Sequence, residues 1–165
     1  MWVLIGLGGN DGDVAAAFAR AVAGLGRHVS VIARSSIWRS APLGPAQPDF
    51  LNAAVLAETG IHPRALLALC QRLEAAAGRE RSAEARWGPR PLDLDLLLAP
   101  GLVVESRDLI LPHPRLAGRR FALAPAAELA PGWVHPRAHR TLADLAVAPE
   151  VSAQSCERIG AFPPG

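Results

Sequence analysis

Leu92-Asp93-Leu94-Asp95-Leu96-Leu97-Leu98 is the stretch that decides the fold class. Leucine and aspartate alternate, which suits a β-strand because its successive side chains point to opposite faces. Leu92, Leu94 and Leu96 then enter a core together, while Asp93 and Asp95 stand side by side on the other face. Upstream, Pro63 opens a helix whose buried stripe is Leu66, Leu69, Cys70, Leu73 and Ala77, closed by Gly78. Before it lie a strand from Asn52 to Thr59, a proline- and glycine-rich loop from Ser40 to Pro48, and a long strand from His28 to Trp38. Val14, Phe18, Val22 and Leu25 form another helix that ends at Gly26, with Asp11 as its expected cap. Trp2 to Leu7 is the first strand, entering a turn at Gly8-Gly9-Asn10.

The order is therefore strand, helix, strand, strand, helix, strand. We read it as α+β, a ferredoxin-like split βαβ sandwich with an antiparallel sheet, helices on one face and a C-terminal extension. Leu102 to Val104 is expected as a short edge strand and Arg119 to Leu129 as a helix. A shorter helix from Thr141 to Ala146 starts at a capping box of Thr141 and Asp144. Residues 1–148 form a single domain in this reading, and residues 149–165 a loose tail.

The 165 residues suffice for one hydrophobic core, and a half-apolar composition with 19% charge excludes a disordered chain. Net charge is +2, and every basic side chain apart from histidine is arginine. Arginine suits phosphate as a planar fork, although a GC-rich genome is the simpler cause of the overall bias. Cys70 and Cys156 lack metal-like spacing, and Cys70 reads as a small core residue. The short apolar start has no basic flank, so neither a signal peptide nor a membrane span is expected, and a reducing cytoplasm is the default.

Adjacent carboxylates repel unless a positive group lies between them, and Mg²⁺ takes one or two carboxylates plus substrate phosphates. An exposed strand face with two acids is the plain alternative for Asp93 and Asp95. Arg79, Arg81, Arg86 and Arg90 tilt the balance, because cations beside a metal-binding acid pair suit a polyphosphate. The Arg79–Arg90 segment lacks apolar periodicity and reads as a mobile loop. Gln71 and Glu74, three apart, share a helix face. Ser40-Ala41-Pro42-Leu43-Gly44-Pro45 with Phe50 and Asn52 offers backbone, a ring and an amide to a heteroaromatic ligand. A core phenylalanine with a strand-start asparagine is the alternative. His113, in Pro112-His113-Pro114, is not placed by local pattern.

Arg86-Trp87-Gly88-Pro89-Arg90 with Leu92-Asp93-Leu94-Asp95 resembles the signature of the 6-hydroxymethyl-7,8-dihydropterin pyrophosphokinases of folate biosynthesis. Four further stretches agree in order and spacing: Gly8-Gly9-Asn10, Pro42-Leu43-Gly44-Pro45 through Ala54, Gln71 to Glu74, and Pro112-His113-Pro114 with Arg119 and Phe121. The resemblance spans about residues 1 to 146. It implies transfer of pyrophosphate from ATP to the pterin alcohol, with two Mg²⁺ ions on Asp93 and Asp95. Phe50 and Phe121 would sandwich the pterin, with Asn52, Trp87 and the backbone near Ser40 and Leu43 completing its pocket. Gln71, Glu74, His113 and Arg119 would face ATP. Arg81, Arg86 and Arg90 would close over the phosphates, with Arg81, Arg90 and Asp95 nearest the chemistry.

The sequence departs from that pattern at Gly9, expected to loosen its turn, and at Phe50, Pro91 and Asp108. We expect a monomer that works on small molecules, without nucleic acid or membrane partners. Two rival readings are an RNA-binding module of the same topology and a catalytically silent nucleotide-binding relative. The first lacks paired aromatic strand motifs. AMP release separates all three.

Overall fold

In a computed structural model of the chain, which describes residues 1–81 and 88–164, the first strand, β1 (Trp2–Gly9), lies inside the sheet. Helix α1 (Val14–Leu25) follows, and the next edge is built from β2 (Ser30–Arg34) and β3 (Ile37–Ser40). Then come β4 (Phe50–Glu58), α2 (Pro63–Ala76) and β5 (Asp93–Leu98). β4 and β5 flank β1, both antiparallel to it, and β2 and β3 share the far side of β4. This is the expected split βαβ order in an antiparallel sheet.

Alternation along the strands builds two different layers. Val3, Ile5 and Leu7 of β1 meet Leu94 and Leu96 of β5 in a closed core with Phe18 and Val22 of α1 and Leu66 and Leu69 of α2. Fully burying a side chain such as Phe18 stabilises by roughly 1.5–3 kcal/mol. The opposite face differs from the expectation of helices on one face only. Leu4 and Leu97 make part of it apolar, and it is covered by α3 (Arg120–Leu129) and α4 (Leu142–Ala146) through Leu123, Ala126, Leu142 and Leu145. An apolar patch of that kind needs a partner layer.

The expected single strand from His28 to Trp38 is broken at Ser35-Ser36 because serine side chains take ladder bonds there. Ser35 Oγ accepts from the Ala54 amide and donates to Ser36 O. The Ser36 amide and hydroxyl both donate to Glu128 of α3. Asp13, not Asp11, caps α1 by accepting from the Ala16 amide. Thr141 caps α4 as expected, through the Asp144 amide.

Two small hairpins flank the last helices. β6 (Val104–Glu105) pairs β7 (Ile110–Leu111), and β8 (Val134–His135) pairs β9 (Arg140–Thr141). The tail is ordered, contrary to expectation. α5 (Pro149–Ser152) buries Val151, and β10 (Cys156–Gly160) adds an edge strand antiparallel to β3. Backbone pairing across more than a hundred residues, with Cys156 opposite Ser40, holds a segment that has no periodicity of its own. Among the described residues no helix is long and apolar enough to cross a membrane.

Candidate active site

On the α3 side of the sheet the apolar face stops partway along β1, where Gly6 and Gly8 follow Leu4. Two glycines leave the sheet bare there, and a cleft of about 110 Å³ opens over them. Its floor carries Asp93, Asp95 and Asn52, one wall carries Ser40, Leu43 and Phe50, and the other carries Arg119 and Phe121. The alternation that sends Leu94 into the core is what sends both aspartates into this space.

The two acids differ in their surroundings. Asp93 accepts from Arg79 Nη1 and, at 3.3 Å, from Arg90 Nη1. Among the described residues none is seen to donate to Asp95; His113 Nε2 lies 4.0 Å from its Oδ2. The Asp95 side chain keeps 48% of its surface yet lies deep between the cleft walls. Depth dominates: burial, then the neighbouring charges of Asp93 and Glu74, push its carboxyl up to about 7. Among the described residues no third His, Cys, Asp or Glu completes a metal cage. A hard cation on these oxygens would therefore fill its shell from ligand oxygens and water, as Mg²⁺ does.

Glu74 lies beneath the acids with 1% of its surface exposed. It accepts from the Leu94 amide at 2.7 Å, from Arg79 at 2.8 Å and from Arg81. Burial pushes its carboxyl up, while the amide and the arginines pull it back. Gln71 does not share this environment. It is exposed on α2 and absent from the cleft lining, because residues three apart differ by about 60° around a helix.

Asn52 donates through Nδ2 to Ser40 Oγ at 2.8 Å, and its Oδ1 is turned toward Gly8. Arg119 stacks its guanidinium 5.4 Å from the centre of the Phe121 ring. His113 is held by its amide on Leu97 O, and its Nδ1 accepts from the Arg115 amide, which turns Nε2 toward Asp95. Burial, with Arg119 and Arg115 nearby, lowers its pKa.

A family model described as 7,8-dihydro-6-hydroxymethylpterin-pyrophosphokinase (HPPK) matches residues 4–131, which contain every residue that lines this cleft. The chain belongs to the HPPK family. Two relatives named 2-amino-4-hydroxy-6-hydroxymethyldihydropteridine pyrophosphokinase, from Methylorubrum extorquens and Bacillus subtilis, are each 46% identical to it. The first match covers 79% of this chain and 83% of the relative, the second 76% and 75%. A Synechocystis protein of the same name is 40% identical over 86% of this chain and 73% of its own length. Among solved structures, a Plasmodium falciparum HPPK-DHPS superposes with a TM-score of 0.66 at 12% identity over 88% of this chain. The present chain spans 44% of that longer one, and the likeness concerns the fold.

Within this HPPK fold, ten of the residues singled out from the sequence come to the cleft or touch its acids: Ser40, Leu43, Phe50, Asn52, Arg90, Asp93, Asp95, His113, Arg119 and Phe121. Glu74 and Arg81 lie one layer below, on the arginine–carboxylate network, and Gln71 stands apart. Arg86 and Trp87 fall outside the described residues.

Sequence reasoning left Asn10 without a role in this HPPK site and placed Arg79 beside the acids without its buried bridge. Arg79, read as part of a mobile loop, is buried and bridges Glu74 to Asp93. Asn10 joins three segments: its amide donates to Arg90 O, its Oδ1 accepts from the Arg90 amide, and its Nδ2 donates to Gln47 Oε1 and Pro48 O. The only local signal for Asn10 was its place after two glycines. Gly9 does not loosen that turn, since a Cβ there would lie 2.7 Å from Pro91 O. The glycine lets the acid-bearing strand approach closely.

Proposed function

We propose that this HPPK-family protein transfers a pyrophosphoryl group from ATP to 6-hydroxymethyl-7,8-dihydropterin, giving the pterin diphosphate and AMP. The observation that supports this best is one cleft in which two carboxylates, an amide oxygen and two phenylalanine rings share an arginine-lined space.

Phe50 and Phe121 take the pterin ring between them, and Asn52 Oδ1 accepts from its polar edge. Arg119, against the Phe121 ring, and His113 face the nucleotide. Asp93 and Asp95 would hold two Mg²⁺ ions, which would neutralise charge on the ATP phosphates. The donor set fits: the oxygens are hard and adjacent, and Asp95 sits beside the like charges of Asp93 and Glu74. The pterin hydroxymethyl oxygen attacks the β-phosphorus and AMP departs. Asp95 takes the hydroxyl proton. Arg81 and Arg90 swing from their carboxylate partners to phosphate oxygens as the complex closes; Arg86 is assigned to ATP and Trp87 to the pterin on the family resemblance alone. Transfer of this kind depends mainly on positioning and charge stabilisation.

The protein is taken to be a monomer of the cytoplasm. The deciding experiment measures AMP formed from ATP and the dihydropterin, with Mg²⁺ present and with it chelated. Magnesium-dependent AMP release is expected. Release of ADP, or no turnover, would overturn the reading.

A further inference from the structure

Helix α3 begins without a cap of its own. Its N-cap residue, Arg119, makes no side-chain hydrogen bond to the first turn. Yet this end of the helix carries Arg119 and Phe121, which form one wall of the cleft. Orphan amides at a helix start normally find an acceptor, and one residue from far along the chain supplies it. Gln154 Oε1 accepts from the Arg120 amide at 3.0 Å. Gln154 Nε2 donates to Gly118 O at 2.8 Å and to Glu150 O at 3.3 Å. Arg120 answers with Nη1, which donates to Ser152 O and Gln154 O, both at 2.9 Å.

The same segment is fixed at both ends. Before Gln154, Val151 is buried with the α3 and α4 side chains. After it, β10 runs along β3 with Cys156 opposite Ser40, on the other wall of the cleft. Arg158 Nε donates to Ser36 Oγ, in the break between β2 and β3. Residues 149–160 therefore tie the wall holding Ser40 to the wall holding Arg119 and Phe121.

We propose that this C-terminal segment is a strap that sets the spacing of the two cleft walls, with Gln154 as the positioning residue that caps α3 from outside. It acts through Arg119 and Phe121 and touches no substrate itself. The choice of ligand for its test rests on the pterin reading above.

The test compares the whole protein with Gln154→Ala, Gln154→Glu and, as a stability control, Val22→Ala in the opposite core. Three quantities are read well below the melting range: pterin affinity, ATP affinity and exchange of the Arg120 amide. Gln154→Ala is expected to weaken pterin binding roughly three- to thirtyfold, the range of a lost cap, and to speed Arg120 exchange by a similar factor. ATP affinity should move less. Gln154→Glu keeps an acceptor for the amide and should recover part of both losses. Val22→Ala should lower the melting temperature without changing pterin affinity.

Equal pterin losses in Gln154→Ala and Val22→Ala would overturn the strap, since the effect would then be general loosening. Unchanged affinity and exchange in Gln154→Ala would overturn it as well. A wild-type protein without pterin affinity would sink the reading of function instead, and Arg120 exchange would then decide the strap alone. If Gln154→Ala folds too poorly to assay, Gln154→Glu against wild type carries the same comparison.

Discussion

The two faces of the sheet are made by the same strands and do opposite work. Toward α1 and α2, β1 presents Val3, Ile5 and Leu7, and the layer is closed. Toward α3, the alternate positions are Leu4, Gly6 and Gly8, so the face is apolar at one end and bare at the other. β5 repeats the contrast, with Leu94 in the core and Asp93 and Asp95 in the cleft. Side chains that a closed core would reject collect where helix cover ends. The difference teaches that strand alternation here separates stability from chemistry, residue by residue.

The largest effects are expected from neighbours on β5 that point to opposite faces. Asp95→Ala should lower turnover by about a hundredfold or more, the scale on which positioned electrostatic groups act. Its stability should not fall, because the change removes repulsion from Asp93 and Glu74. In magnesium-free buffer the wild type binds the Asp95 proton more tightly folded than unfolded. That stabilising contribution is complete below the ordinary carboxylate range and is lost as pH rises toward about 7. Asp95→Ala should flatten this slope in denaturant titrations. Leu94→Ala should do the reverse, costing about 2–5 kcal/mol of stability while the folded fraction keeps most of its turnover. If the two variants gave the same pattern, the separation of the faces would be broken.

The next test concerns the arginines over the acids. Arg90 binds Asp93 and Arg81 binds Glu74. If both move to phosphate only as the reaction proceeds, Arg81→Ala and Arg90→Ala should slow single-turnover AMP formation at least tenfold and leave equilibrium ATP binding within a few-fold. A large loss of ATP affinity with an unchanged single-turnover rate would mean a preformed clamp. Phe121→Ala is a smaller change. It removes stacking worth roughly 0.5–1.5 kcal/mol beyond burial, so pterin affinity should drop about tenfold in calorimetry while ATP binding holds.

The closed face was the more legible in sequence. Its signals are local: leucines at alternate positions in β5 and a helical stripe from Leu66 to Cys70. The aspartate pair was legible for the same reason, since period two fixes its face. What escaped depends on partners far along the chain. Ser35 and Ser36 break a strand only because Ala54 and Glu128 offer bonds. Residues 149–160 lack periodicity and gain order from β3 and α3. Arg79 was read as part of a mobile loop because nothing nearby in sequence announces Glu74 and Asp93 as its joint buried partners. Asp11 and Asp13 compete as caps within one turn, and pattern alone does not separate them.

The smallest expected effect tests the open face most finely. Asn52 has two amide ends, and a ligand donor can be recognised only if the oxygen is the one presented. Its Nδ2 is held by Ser40 Oγ, and more weakly by Trp38 O at 3.4 Å. Ser40→Ala removes the stronger acceptor and permits the amide to turn over. Part of the population would then present a donor where the ligand needs an acceptor. A net hydrogen bond is worth about 1 kcal/mol, so pterin affinity should fall by roughly three- to tenfold. Ser40→Thr keeps the hydroxyl and should bind as wild type. Asn52→Ala should lose more, and adding Ser40→Ala to it should cost nothing further, because the hydroxyl acts only through the amide. If the two losses added instead, Ser40 would meet the ligand on its own account, and the lock on Asn52 would be wrong.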